Sequence, residues 1–256
     1  MNKLRRLDSF HLKLIGMLTM VIDHLGVFFF PKLSILRIIG RISFPLFAFI
    51  TAESMVHTRN KLRYILVLAG LDISFSLVTY FVARTYNPNV FSILALSSLA
   101  IYFLDHQKIY MKFLSILPLT YVILATFAFT PFKVEYGIYG FLLCVGFHLV
   151  YLLVTRLSKT NNIDDKSSLF SSNLSLFSAL FLLTYTLLAY YASPLLIRYF
   201  PNNNMDYYAQ GSALLAVPFI FFYSGKRGYS STYFRIGCYV FYPLHILLFY
   251  FISLLI

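Results

Sequence analysis

Long apolar runs separated by short polar turns fill the chain from one end to the other. A helix needs about 20 mostly apolar residues to cross roughly 30 Å of hydrocarbon. On that template the pattern predicts spans near residues 14–30, 35–56, 62–83, 90–104, 113–130, 134–154, 174–197, 207–223 and 236–255. The expected fold class is all-α, a polytopic membrane helical bundle of about nine transmembrane helices, with residues 1–256 forming one integral-membrane domain. One run breaks the pattern. In "MLTMVIDHLGVFFF" (17–30), Asp23 and His24 fall where the hydrocarbon core should be. Ionisable residues at that depth are costly, and they mark either paired structural groups or a functional site.

Composition supports the membrane reading. Hydrophobic residues make up 59% of the chain and charged residues only 12%, with a mean hydropathy of +0.76; soluble domains carry about a quarter charged residues. The net charge of +12 invites a nucleic-acid partner. The basic residues nevertheless fall between apolar segments and form no stripe, which is the mark of membrane topology, so no nucleic acid is expected. With the N-terminus in the cytoplasm, fifteen Lys and Arg lie in the inner turns and five in the outer ones, Lys32, Arg37, Arg84, Lys133 and Arg198. This positive-inside bias puts the N-terminus in and the C-terminus out. The basic start "MNKLRRLDSFHLK" resembles a signal peptide, but Asp23-His24 and the lack of a small-residue cleavage site favour an uncleaved first helix. Cys144 and Cys238 lie in apolar runs without CxxC spacing, as small buried hydrophobes do.

Helix geometry separates the two polar residues of the first span. His24 lies about 16 Å along the helix from Lys13, and eleven residues make about three turns, so the two share a face. Asp23 points about 100° away. In the second span Arg41 lies at a depth similar to that of His24, with Arg37 one turn earlier. Pro45 lacks the donor that would pair with the Arg41 carbonyl, so this helix should be kinked or open there. An Asp23–Arg41 bridge and an anion site at Arg41 both remain open at this point. Asp72 and His245 also fall near mid-depth, His245 just after Pro243. Four helices therefore place His24, Arg41, Asp72 and His245 at comparable depth, which suggests a polar cavity. Glu53 is accounted for by a local helix pair with His57, and His148 by packing.

The chemistry that these residues suit is acyl transfer. A neutral histidine in a low-dielectric site can act as a general base, and neighbouring cations can stabilise an oxyanion. No HExxH, paired-cysteine, G-x-S-x-G or P-loop pattern occurs, so no metal is expected and hydrolase or triphosphatase readings lack support. The loop "SGKRGYSSTYFR" (224–235) offers Lys226 and Arg227 for phosphates, although membrane anchoring alone would also explain them.

The blocks "LKLIGMLTMVIDHLG", "LRIIGRISFPLFAFITAE", "VEYGIYGFLL", "YSGKRG" and "YPLHILLFYFI" resemble the TraX family, in family order from residue 12 onward. Its named member is a conjugal-transfer protein that acetylates pilin at its N-terminus. The family is similar to the acyltransferase-three membrane enzymes, in which a basic residue precedes a first-helix histidine by eleven positions, as Lys13 precedes His24. Glu135 departs from the family pattern, standing where Asp is expected in many relatives. The resemblance implies a multi-pass acetyltransferase of a bacterial cytoplasmic membrane. It would take acetyl-CoA from the cytoplasm as donor and modify an amine or hydroxyl of a membrane or extracytoplasmic acceptor. His24 would carry catalysis with Asp23 and Arg41. Lys13, Arg37, Glu53, Asp72, Lys226, Arg227 and His245 would hold the substrates. The alternative from another class is a proton- or solute-coupled transporter with Asp23, His24, Asp72 and His245 as its relay, but no matching half-repeats are seen. A non-catalytic scaffold for a surface assembly is a third reading.

Overall fold

The computed structural model describes residues 7–84, 89–127, 134–199 and 210–255. Lys3, Arg5, Arg6 and Lys133, which enter the charge bias, lie outside them. The described residues form helices α1 (Ser9–Phe28), α2 (Ser34–Gly40), α3 (Ser43–His57), α4 (Lys61–Ala83), α5 (Val90–Leu104), α6 (Ile109–Phe113), α7 (Ile116–Phe127), α8 (Gly137–Thr160) and α9 (Ser168–Tyr199). A 3-10 turn at Gly211–Ala216, α10 (Val217–Phe221) and α11 (Thr232–Ser253) follow. The all-helical expectation holds, with an isolated parallel bridge between Leu7 and Tyr223.

Among the described residues, seven stretches are long and apolar enough to cross a membrane: Ser9–Phe28, Ser34–His57, Lys61–Val82, Ile109–Phe127, Gly137–Thr160, Ser168–Leu195 and Thr232–Ser253. The two remaining expected spans are helical but shorter, Val90–Leu104 and Gly211–Phe221. At 1.5 Å per residue the first of these reaches only about 22 Å.

The second expected span is broken where Pro45 predicts. Arg41 and Ile42 form a turn between α2 and α3, and Pro45 sits in the first turn of α3, where its missing N–H costs nothing. At the start of α8, Tyr136 and Gly137 both take positive φ, 62° and 43°. This left-handed pair turns the chain into the helix within the "EYG" block.

The chain divides into two compact units. The first comprises Met1–Ile50, Val150–Tyr190 and Tyr207–Ile256, and the second Thr51–Leu149 and Tyr191–Asp206. In the first, α1 packs against α2 and α11, and Leu12, Leu46 and Ala48 are fully buried. In the second, α5 is central and packs on α4, α6 and α7, with Met55, Ile65 and Ile101 as a core cluster. Two polar ties hold this second unit. Asn89 caps α5 by accepting from the Phe91 amide at 2.9 Å and donates to the Asp72 carboxylate at 2.7 Å. Asp105, at the C-terminal end of α5, takes Lys61 Nζ at 2.5 Å on one oxygen and His148 Nε2 at 2.7 Å on the other. Burial works against the Asp105 charge, but the bonds from His148 and Lys61 outweigh it and hold the carboxyl below its ordinary value. His148 is wholly buried, but it is not the isolated packing residue expected: its Nε2 is tied to Asp105.

Candidate functional site

The candidate site belongs to the first unit and grows from the middle of α1. Asp23 turns toward α2, where Arg37 Nη1 donates to its Oδ2 at 2.7 Å. The sequence left open which cation would meet Asp23, naming Arg41 first. Arg37 closes the ion pair, while Arg41 lies close enough to act electrostatically on both Asp23 and His24. The phase is set by the helix break: α2 ends at Gly40, so Arg37 is on a regular turn facing α1 and Arg41 is in the connection. Gly40 permits this approach. A Cβ at position 40 would run into the Asp23 side chain, carboxylate included.

His24 turns the other way, toward α11. Its Nδ1 lies 2.8 Å from His245 Nε2, and His245 Nδ1 lies 2.7 Å from the Phe241 carbonyl one turn earlier. The ring of Phe241 stacks on His245 at 5.0 Å between centroids, and Tyr242 and Phe249 meet it edge-on at 5.9 and 6.0 Å. Tyr242 also meets His24 edge-on at 6.3 Å. The histidine pair is therefore walled by aromatic rings. His245 is buried, with 6% of its surface exposed, while His24 is half-buried. The His24 imidazole is therefore held against an apolar wall with part of its surface exposed.

Lys13 shares this face of α1, as its spacing from His24 predicts. It acts electrostatically on Cys238, two turns before His245 on α11. The contacts Phe10–Phe234 and His24–His245 advance along both helices together, so α1 and α11 run parallel. The segment before α11 is fastened to the same end of α1. Ser224 donates to the Leu7 carbonyl at 2.8 Å and Ser9 to the Lys226 carbonyl at 2.9 Å. The hydroxyls of Ser9 and Tyr223 are 3.0 Å apart. Gly228, at φ +67°, lies against the Asp8 carboxylate, and a Cβ there would collide with it. Asp8 caps α1 and accepts from the amide and ring of His11 at 3.0 and 2.8 Å. Its burial works to raise its pKa, yet these bonds and the His11 charge keep it below the ordinary value. Lys226 and Arg227 are exposed on this ordered loop, at the Lys13 end of the site.

Of the sequence candidates, the first unit thus collects Lys13, Asp23, His24, Arg37, Arg41, Lys226, Arg227 and His245. Asp72 and Glu53 belong to the second unit, where Asp72 is engaged by Asn89 and Glu53 is buried on α3. The sequence passed over Tyr242 and the Phe241 carbonyl. The carbonyl could have been found from spacing alone, since position i−4 on a helix lies beneath a histidine ring. Among the described residues no three His, Cys, Asp or Glu side chains gather as a metal site.

Comparison with known proteins agrees with this geometry in extent. The family model described as TraX protein matches residues 9–253, from the first residue of α1 to the last of α11. A segment of 55 residues is 40% identical to an uncharacterised protein of Rickettsia prowazekii, and the match spans 22% of this chain and 22% of that one. No solved structure matches.

Proposed function

Because this chain belongs to the TraX family over nearly its whole length, we propose that it is a membrane-embedded acetyltransferase. It moves an acetyl group from cytoplasmic acetyl-CoA to an amine or hydroxyl of a membrane or extracytoplasmic acceptor. The observation that carries this reading is the His24–His245 pair at 2.8 Å, with the Asp23–Arg37 ion pair on the neighbouring face of the same helix. An imidazole freed from any carboxylate, beside two arginines, is what proton removal and oxyanion stabilisation both require.

In this mechanism the donor approaches past Lys13, Lys226 and Arg227, whose cations suit its phosphates. His24 takes the proton of the acceptor nucleophile as that atom attacks the thioester carbonyl. The tetrahedral oxyanion is stabilised by Arg41, the C–S bond then breaks, and coenzyme A leaves as a thiolate that recovers the proton. Asp23 and Arg37 brace α1 against α2, so that His24 is held at a fixed angle. The Lys- and Arg-rich turns on the cytoplasmic side of a bacterial membrane set the direction of transfer.

The test is the purified protein in lipid, given acetyl-labelled acetyl-CoA together with the extracted membrane and surface components of its own cell. The expected result is label on one acceptor species, detected by mass spectrometry as a gain of one acetyl unit. His24→Ala should reduce that transfer by about 10²–10⁴-fold, the usual contribution of a positioned acid–base group. Gradient-driven solute uptake without label transfer would favour a transporter instead.

A further inference from the structure

We propose that His245 is a positioning residue that fixes the tautomer of His24, leaving His24 Nε2 as the proton acceptor of the site. The inference deepens the acetyltransferase reading and rests on it for its chemical consequence, although the tautomer itself is read from geometry alone. The chain of bonds has a fixed start. The Phe241 carbonyl can only accept, so His245 Nδ1, 2.7 Å away, carries a hydrogen. A neutral His245 then has a bare Nε2, which can only accept. The atom 2.8 Å from it is His24 Nδ1, and that nitrogen must therefore be the donor. A neutral His24 with its hydrogen on Nδ1 has its lone pair on Nε2, at the far edge of the ring from His245.

The direction of this relay matters because only one tautomer is competent. Were the His24 hydrogen on Nε2, the edge of the ring turned away from His245 would present a donor where a base is needed. The hydrogen bond that one ring nitrogen makes decides which nitrogen is free, and a wrong tautomer can cost a catalytic histidine about 10⁴-fold. His245 is suited to the task. It is nearly buried, its ring is pinned by its own backbone one turn earlier, and Phe241, Tyr242 and Phe249 restrict its rotation. The Met20 carbonyl, one turn earlier on α1, also acts on the His24 ring. It is a competing influence on the His24 tautomer, and the variants below separate the two.

The experiment is nitrogen-15 NMR of histidine-labelled protein in lipid, alongside acetyl transfer, for the natural chain, His245→Ala and His245→Gln. The natural chain should show His24 with Nδ1 protonated and Nε2 bare. His245→Ala should lose that single signature and lower transfer by about 10- to 1,000-fold. His245→Gln places an amide oxygen where His245 Nε2 accepts, and should restore both the signature and most of the activity. Size-exclusion profile and melting temperature establish that each variant is folded. The proposal is overturned if the natural chain carries the hydrogen on Nε2. It is equally overturned if His245→Ala keeps the original signature, with Met20 then sufficient, or if His245→Gln behaves like His245→Ala. The NMR readout needs no turnover, so failure of the acetyltransferase reading would show itself separately, as no acetyl transfer by the natural chain.

Discussion

Two buried histidine arrangements, one in each unit, solve the same problem in opposite ways. His148 hands its Nε2 to Asp105, whose other oxygen is held by Lys61, so an acid, a base and an imidazole neutralise one another across α4, α5 and α8. His24 has a carboxylate as its immediate neighbour in sequence and yet does not use it. Helix geometry sends Asp23 to Arg37 and leaves His24 to another imidazole. A carboxylate partner makes a histidine a fastener. An imidazole partner fixes its orientation without supplying a charge that would hold on to its proton. On the proposed reading, the difference separates a group that secures helices from one arranged to exchange protons.

The comparison breaks most visibly if the fastener is cut. Asp105→Ala leaves the partly buried Lys61 and the buried His148 facing each other without their shared carboxylate, and should cost about 1.5–3 kcal/mol of stability through the lost charged hydrogen bonds. Chemical denaturation in detergent measures it. At the other site, Gly40→Ala forces a methyl group into the Asp23 carboxylate and should cost about 1–3 kcal/mol through overpacking. It should also lower acetyl transfer, because the displaced Asp23 drags α1 and the His24 ring with it. A change confined to stability would mean that Asp23 braces the helix without orienting the histidine.

A smaller effect is expected from acid. The Asp105 carboxyl is held below its ordinary value in the folded chain, so its contribution is fully present above the unfolded carboxylate value near pH 4. That contribution is lost as pH falls through the lowered folded value. Melting temperature should therefore drop on acidification below about pH 4, and Asp105→Asn should remove part of that drop. If the variant and the natural chain lose stability equally over that range, the carboxylate at 105 is not the fastener described.

Much of this was legible because helices are periodic. The opposed faces of Asp23 and His24, the alignment of Lys13 with His24 and the break before Pro45 all follow from 3.6 residues per turn and a missing amide. What was not legible depends on which helices meet. Asp72 pairs with Asn89, seventeen residues away at the cap of α5, which no local pattern signals. The Asp105–Lys61 and Asp105–His148 contacts span 44 and 43 residues, and no local pattern signals them. Arg37 was preferred over Arg41 by a single helical turn, which the break in the span decides.

The number of crossings is a last consequence of the sequence, and helix length alone does not fix it. If only the seven longer stretches cross, the Lys and Arg count becomes twelve inside against eight outside, weaker than the fifteen against five of nine crossings. The stronger bias favours Val90–Leu104 and Gly211–Phe221 crossing as short helices. A cysteine placed at Asp164, in a chain with Cys144 and Cys238 replaced, should then react only with membrane-permeant reagent in intact cells. Labelling by an impermeant reagent would support seven crossings.

The most direct test of the contrast sets His24→Ala and His148→Ala side by side, measuring acetyl transfer from labelled acetyl-CoA per folded molecule together with melting temperature. His24→Ala should lose transfer by about 10²–10⁴-fold with little change in melting. His148→Ala should melt earlier and keep transfer within about threefold, because His148 touches no reacting atom. Full transfer by His24→Ala, or its loss in a folded His148→Ala, would contradict the assignment of the two histidines.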